Sequence, residues 1–279
     1  MKKLFAVLGD PIGHSMSPLM HNDLFSFYKM DAHYHPLQVK AESLEDAVRG
    51  LKAIGIAGFN VTVPHKSTII PLLDGIDELA GEIGAVNTVV NENGKLIGYN
   101  TDGPGFLAGV KDYIPSLTGK KVLIIGAGGA ARAIYFTLVK NGPQRVDVSN
   151  RTVEKALKLV NECTKSISSN ALSLDQAGKR LEEYDIIVQT TMIGMYPIIN
   201  EQPLSLSNLN ENAVVYDIIY NPLETEFLLK AKQKGAKIKN GIDMFVYQGA
   251  LAFEKWTGVS PDVGRMRQNV LKQLGGTRC

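Results

Sequence analysis

Apolar positions along the chain alternate between short runs and helical stripes. Residues 4–8 form an apolar run cut by Gly9-Asp10-Pro11, which reads as a buried first strand. Ser17, with Pro18 behind it, has the character of a helix cap, and the helical pattern runs to about Met30. Residues 33–39 alternate as a strand does, and 44–54 have helical spacing with Gly55 as a stop. Residues 58–63 make a strand that includes Asn60-Val61-Thr62-Val63 and ends at Pro64. Residues 86–90 and 95–99 flank Asn91-Glu92-Asn93-Gly94, a hairpin signal. The pattern predicts a mostly parallel α/β sheet with an antiparallel edge.

A second alternation follows. A helix is expected over 106–113, strands over 122–125, 145–149, 185–190, 214–219 and 236–239, and a further strand near Leu172. Helices are expected over 131–140, 153–163 and 225–234. That is the pattern of a doubly wound nucleotide-binding (Rossmann) domain. Residues 244–256 and 262–274 read as helices with no strand between them, expected to pack back on the first domain. The predicted architecture is therefore α/β in two domains. Residues 1–102 completed by 243–279 form one, and 103–242 form the other.

The strand at 122–125 runs into Gly126-Ala127-Gly128-Gly129-Ala130-Ala131 and then a helix. In that context G-x-G-x-x-G/A signals a dinucleotide site. Gly126 permits the tight turn, Gly128 lets backbone approach a pyrophosphate, and Ala131 keeps helix and strand close. The helix N-terminus favours the phosphate charge. The next strand ends Ser149-Asn150-Arg151-Thr152, with Lys155 one turn later. An NAD site usually carries a carboxylate at this tip; a guanidinium that can fork onto a 2′-phosphate points to NADP. Asp147 lies within the strand and is a weaker acidic candidate. The plainer reading has Asn150 and Thr152 capping the helix and Arg151 solvated, and it is compatible with binding.

Composition narrows the classes. The chain has 279 residues, 44% of them hydrophobic and 21% charged, with a net charge of +2. Both signs are well mixed, so there is no footprint for nucleic acid or an anionic membrane. No apolar run approaches the roughly 20 residues of a membrane span. The N-terminal apolar run is too short for a signal peptide. Cys163 and Cys279 are the two cysteines, which argues against a disulfide framework and suits a reducing cytoplasm. None of the 5 histidines has metal-ligand company, so no metal is expected; His14 and His65 read as loop residues.

Polar clusters remain: Gly13-His14-Ser15-Met16-Ser17-Pro18, Asn60-Val61-Thr62-Val63-Pro64-His65-Lys66, Gly84-Ala85-Val86-Asn87-Thr88, Asn100-Thr101-Asp102-Gly103, and Gln248-Gly249-Ala250. With the glycine loop, Asn150-Arg151-Thr152 and Gly194-Met195-Tyr196-Pro197, these stand in an order that resembles the shikimate dehydrogenase family over nearly the whole chain. The resemblance implies reversible reduction of 3-dehydroshikimate to shikimate by NADPH, a step toward chorismate and the aromatic amino acids. It marks Lys66 and Asp102 as the catalytic pair. Such chemistry needs a group to give or take the hydroxyl proton. Lys66 is expected as the main acid/base, with Asp102 bonding the reacting hydroxyl and holding Lys66; a domain-bridging ion pair is the plainer reading.

By the same resemblance Ser15, Ser17 and Tyr220 take the substrate carboxylate. Thr62, Lys66, Asn87, Asp102 and Gln248 take the hydroxyls, and Asn60 supports the loop. Ala127 and Gly129 face the pyrophosphate beside Gly126, Gly128 and Ala130, and Ile218 and Gly241 approach the nicotinamide. Met192, Met195 and Met244 are candidate pocket residues or core filler. Two departures from the family pattern stand near the nicotinamide end: Gln189-Thr190-Thr191-Met192, and Asp243 where glycine is common. Rival readings are a quinate/shikimate dehydrogenase with relaxed cofactor use, a methyltransferase, and a catalytically silent NADP-binding sensor. Arg151 in place of an acid opposes the methyltransferase. The expected partner is a small molecule, and the expected state a monomer or homodimer.

Overall fold

In the computed structural model, which describes residues 2–111, 113–165 and 167–275, the first apolar run becomes a central strand of a six-stranded sheet. Cys279 lies outside the described residues. The chain divides into two units, Met1–Gly105 with Val246–Cys279, and Phe106–Phe245.

The first unit contains β1 (Lys3–Gly9), α1 (Ser17–Phe27), β2 (Ala32–Gln38), α2 (Leu44–Ala53), β3 (Gly58–Val61), β4 (Gly75–Ile76), α3 (Glu78–Ile83), β5 (Thr88–Glu92) and β6 (Lys95–Tyr99). Helix α4 (Asp102–Lys111) begins in it. The sheet order is β2-β1-β3-β5-β6-β4. β1 runs parallel to β2 and β3, and β4 parallel to β6. The expected hairpin is β5–β6, but its antiparallel strand is not the edge. β5 lies inside, between β3 and β6, and the short β4 closes the sheet. A two-residue strand carries no periodicity for the sequence to display.

β1 is buried on both faces, as strands of parallel sheets are. Ala6 and Leu8 join Val48, Leu51, Phe59, Val61 and Val89 on one side. On the other, Phe5 stacks on Phe25 and Trp256. Two local expectations change. Ser17 is the first residue of α1, with Met16 at the cap and no side-chain cap bond. Helix α4 starts at Asp102, four residues before the predicted start, because the Asn100 side-chain oxygen accepts the N–H groups of Asp102 (3.0 Å) and Gly103 (3.4 Å).

The second unit carries β7 (Lys121–Ile125), α5 (Gly129–Val139), β8 (Arg145–Ser149), α6 (Val153–Asn161), β9 (Ala171–Leu172), α7 (Leu174–Gly178), β10 (Ile186–Gln189), β11 (Val214–Asp217), α8 (Glu226–Gln233) and β12 (Lys237–Lys239). Its order β12-β11-β10-β7-β8-β9 is all parallel and is the doubly wound arrangement. The topological switch falls between β7 and β10. Helix α7, which the apolar pattern does not show, has a Ser173–Gln176 capping box. α9 (Ile242–Thr257) begins in this unit and ends in the first, where α10 (Val263–Gly275) packs on α1. There Arg265 forks onto Asp23 at 2.6 and 2.7 Å. Among the described residues no helix is long and apolar enough to cross a membrane, and no histidine, cysteine and carboxylate group could hold a metal ion.

Among the buried titratable groups, His21 in the first unit and Asp217 in the second have opposite pH dependences. His21 stacks on Tyr34 at 4.7 Å and meets the Trp256 edge at 5.2 Å, with no partner for either ring nitrogen. Burial lowers its pKa from 6.5 to about 3. The unfolded chain then binds a proton that the native state refuses, so this contribution is present above pH 6.5 and fades on acidification. Asp217, at the end of β11, accepts from Thr225 Oγ1 (2.7 Å) and the Ile219 N–H (3.0 Å). Burial still raises its pKa from 3.8 to about 7. Its sign is opposite: stability falls as pH rises from 3.8 to about 7. In denaturant titrations, His21→Phe should remove about 2 kcal/mol of the loss between roughly pH 7 and pH 5. Asp217→Asn should remove a loss that runs in the other direction. Parallel pH curves for wild type and variants would refute both assignments.

Candidate active site

Lys66 sits five residues beyond β3 in a segment pinned at several points. The Thr62 N–H donates to the Leu8 carbonyl (2.9 Å), and the Val86 N–H donates to the carbonyl of Lys66 itself (2.7 Å). His65 is fully buried, and its Nε2 lies 2.6 Å from the Val39 carbonyl, so that nitrogen donates. His65 is thus a structural anchor, which suits its reading as a loop residue. The backbone of Lys66 being fixed, its ammonium donates to Asp102 Oδ2 at 2.6 Å, with the two side chains 15% and 7% exposed.

Asp102 opens α4 and is held from its other oxygen. Asn87 Nδ2 donates to Asp102 Oδ1 at 2.9 Å. The orientation of that amide follows from its neighbours. The Thr101 N–H can only donate, and it meets Asn87 Oδ1 at 2.7 Å. The opposite end is therefore the NH₂, which faces Asp102, Thr101 Oγ1 (2.9 Å) and, more distantly, Gln248 Oε1 (3.4 Å). Gln248 is carried by α9 at a point of close approach to α4. A Cβ on Gly105 would stand 2.6 Å from the Gln248 backbone nitrogen. Lys66, Asp102, Asn87 and Gln248 thus form one hydrogen-bonded group.

The other expected substrate residues have contacts of their own. Thr62 follows β3, and its methyl group occupies the space above Gly9, where a Cβ would come within 2.5 Å. Ser15 Oγ accepts the Ser17 N–H at 3.3 Å. Ser17 is buried and hydrogen-bonds Tyr34, a residue that no sequence motif marks. Asn60 is buried as well; it accepts from the Tyr34 hydroxyl at 2.7 Å and donates to the Asn87 backbone carbonyl at 3.0 Å. Tyr220 belongs to the second unit, where its ring lies 4.4 Å from that of Phe245.

In the second unit the glycine loop has the shape its sequence requires. Gly126 has φ +115°, and a Cβ there would lie 2.4 Å from Thr190 Oγ1, a hydroxyl that itself donates to the Ile125 carbonyl at 2.7 Å. A Cβ on Gly128 would meet open space. Gly128 also caps α5, which starts at Gly129 with no side chain on its free N–H groups, leaving Ala127, Gly129 and Ala130 around an open helix N-terminus. Ala131 is fully buried beneath.

At the tip of β8, Arg151, Thr152 and Lys155 are exposed, and among the described residues no carboxylate pairs with either cation. Thr152 makes no side-chain cap bond, and Asn150 Nδ2 donates to the Thr152 carbonyl at 2.8 Å, so capping leaves these hydroxyl and guanidinium groups uncommitted. Asp147 is fully buried and occupied by the Tyr184 hydroxyl (2.7 Å) and the Asn170 N–H (2.9 Å). The chemistry of this donor set fits a dinucleotide with a phosphate on its ribose. Beyond β11, Gly241 meets the Ile218 backbone: a Cβ there would fall 1.9 Å from the Ile218 oxygen.

The two departures have structural partners. Gln189 is buried and folds the following turn through the Thr191 N–H and the Thr191 and Ile193 carbonyls. Asp243 forms an ion pair with Lys239, whose ammonium lies 4.0 Å from the centre of the Tyr113 ring. Met192 and Met195 are exposed, whereas Met244 is buried core.

The family model for the shikimate dehydrogenase substrate binding domain matches residues 7–89, that for shikimate/quinate 5-dehydrogenase matches 109–226, and that for the shikimate 5′-dehydrogenase C-terminal domain matches 241–271. A shikimate dehydrogenase (NADP⁺) of Bacillus cereus (strain AH187) is 58% identical over 277 residues, spanning 99% of this chain and 100% of the relative. A crystal structure of a shikimate dehydrogenase in complex with NADP⁺ superposes with a TM-score of 0.92 at 43% identity, covering 98% of this chain and 96% of that one. The Thermus thermophilus shikimate 5-dehydrogenase in complex with NADP(H) and shikimate gives 0.87 at 35% identity, over 97% and 99%. Near-complete coverage at this identity, joined to three consecutive domain models, places the chain in the shikimate dehydrogenase family.

Proposed function

We propose that this protein reduces 3-dehydroshikimate to shikimate with NADPH, reversibly, as a cytoplasmic enzyme acting on a small molecule as a monomer or homodimer. The observation that carries the reading is the Lys66–Asp102 pair, buried and held at 2.6 Å with the Asn87 amide on its far oxygen. Oxidising a secondary alcohol separates a hydride from a proton. NADP, when bound, supplies the hydride chemistry. The chain must handle the proton, and Lys66 Nζ is the atom that does so: it gives a proton to the ketone oxygen in reduction and takes it from the hydroxyl in oxidation. Asp102 orients that ammonium and bonds the hydroxyl.

We assign the substrate to the first unit. Ser15 and Ser17 take its carboxylate, and Thr62, Asn87 and Gln248 take its hydroxyls, whereas Tyr220, the third expected carboxylate contact, is carried by the second unit. The cofactor goes to the second, with Gly126, Ala127, Gly128, Gly129 and Ala130 at the pyrophosphate. Asn150, Arg151, Thr152 and Lys155 receive the 2′-phosphate, and Ile218 and Gly241 border the nicotinamide. The two exposed, unpaired cations at the tip of β8 favour NADP over NAD.

The reading is tested by following NADPH formation from shikimate, with NAD and quinate as controls. Shikimate with NADP should be the preferred pair; equal rates with quinate and NAD would replace it by the relaxed quinate/shikimate alternative. Binding of NADPH without turnover would make the protein a sensor. Lys66→Ala should lower kcat by about 10²–10⁴-fold with little change in substrate affinity, measured by steady-state kinetics. Near-normal turnover in the folded variant would remove Lys66 from the chemistry. Arg151→Ala should raise the KM for NADPH by about tenfold, the worth of one charge-assisted contact, and leave that for NADH unchanged.

A further inference from the structure

Behind the Lys66–Asp102 pair lies a chain of buried hydrogen bonds that runs across the first sheet. Tyr34 on β2 is completely buried, its ring clamped against His21 at 4.7 Å and near Trp256 at 6.0 Å. Its hydroxyl lies 2.7 Å from Asn60 Oδ1 on β3. Asn60 Nδ2 faces the Asn87 backbone carbonyl (3.0 Å), which can only accept, so the amide orientation is fixed and Tyr34 must donate. The same Nδ2 reaches Thr88 Oγ1 at 3.1 Å.

A hydroxyl has one proton to give. Thr88 receives from Asn60, and its proton goes to Asn87 Oδ1 at 3.1 Å or to Thr101 Oγ1 at 3.2 Å, a hydroxyl that itself lies 3.2 Å from Asn87 Oδ1. With the Thr101 N–H on the same oxygen at 2.7 Å, both acceptor sites of Asn87 Oδ1 are filled. The NH₂ of that side chain is thereby turned onto Asp102 Oδ1. Donation runs from Tyr34 through Asn60 to Thr88, then directly or by way of the Thr101 hydroxyl to Asn87, and on to the carboxylate that holds Lys66. Bonds aligned in this sense polarise one another, and each member left unpaired is costly at this depth.

We propose that Tyr34 is a positioning residue for the reaction, acting through Asn60 and Thr88 to fix the Asn87 amide against Asp102. The inference rests on the function proposed above. Tyr34 touches neither member of the ion pair; its effect falls first on the rate of the chemical step through Asp102, and only secondarily on shikimate affinity through Ser17 and Asn87.

Tyr34→Phe and Thr88→Val each keep shape and remove one donation. Both should lower kcat for shikimate oxidation about tenfold, with the KM for NADP within about twofold of wild type and any rise in the KM for shikimate smaller than the loss in kcat. The double variant should be no slower than the worse single one, because either change breaks the same chain. Thr88→Ser, which keeps the hydroxyl, should restore kcat. A residue that merely fills the core would change the melting temperature without this split and without rescue. If Tyr34→Phe is recovered unfolded, the Thr88→Val and Thr88→Ser pair decides. Turnover by the wild type with kcat retained in the folded variants, or KM rising in step with the loss, overturns the inference alone. No shikimate turnover by the wild type overturns the functional reading, and this inference with it.

Discussion

Drawing an ammonium and a carboxylate out of water is costly unless the two are paired, and the elements around Lys66 and Asp102 are those that deliver and hold the pair. Lys66 is delivered by a segment whose backbone bonds to Leu8 and Val86 fix its exit from the sheet. Asp102 is delivered by the start of α4, and that start is set by Asn100 capping it from the preceding turn. The hairpin β5–β6 supplies the rest: Asn87 precedes one strand, and Thr101 follows the other. Their mutual bonds turn the Asn87 amide toward the carboxylate. Shifting any of these elements would expose an unpaired charge, so the site and the fold around it stand or fall together.

Steric room is the second constraint, and glycines provide it at two close approaches. Gly105 lets α4 and α9 come near enough for Gln248 to reach the Asn87 amide. Gly241 allows its backbone to lie on that of Ile218. Both approaches are closer than a methyl group permits. The glycine of the loop after β7 works differently: Gly126 is fixed by a positive φ and by the Thr190 hydroxyl, while Gly128 faces open space. Packing accounts for the first pair of glycines, whereas no neighbouring atom among the described residues constrains Gly128.

Periodicity and turn chemistry make the second sheet readable almost strand by strand, because most of its strands have an apolar run and helices stand between most of them, β10 and β11 being joined without one. The first sheet is less legible. Hydrophobic spacing shows that β5 and β6 form a hairpin but says nothing of which neighbour each takes on its outer side. β4 therefore escapes a reading by pattern, and the hairpin reads as an edge. The start of α4 is legible in principle, since Asn100 stands at a cap position, but the apolar stripe begins later, at Phe106. At the site, Lys66 and Asp102 carry recognisable motifs. Tyr34 carries none. It reads as one more aromatic residue in an alternating strand, and only the geometry reveals that its hydroxyl faces Asn60.

The two units answer opposite electrostatic problems. A neutral hydroxyl to be deprotonated needs charges already fixed and dried before it arrives, so that little reorganisation is left for the reaction itself. On the function proposed above the first unit would provide that, with Lys66 paired to Asp102 and Asp102 held in turn by Asn87. An anion arriving from water needs cations that have kept their own hydration and have no carboxylate to give up. Arg151 and Lys155 meet that need on the surface, whereas Arg145, on the same strand, is held by Glu183 at 2.7 Å and lies beside Asp147 at 3.2 Å. Asp147 itself could compete for a ribose hydroxyl only by abandoning Tyr184 and Asn170. On the function proposed above, a preference for a phosphate at this tip would come as much from where the acid is buried as from where the bases are exposed.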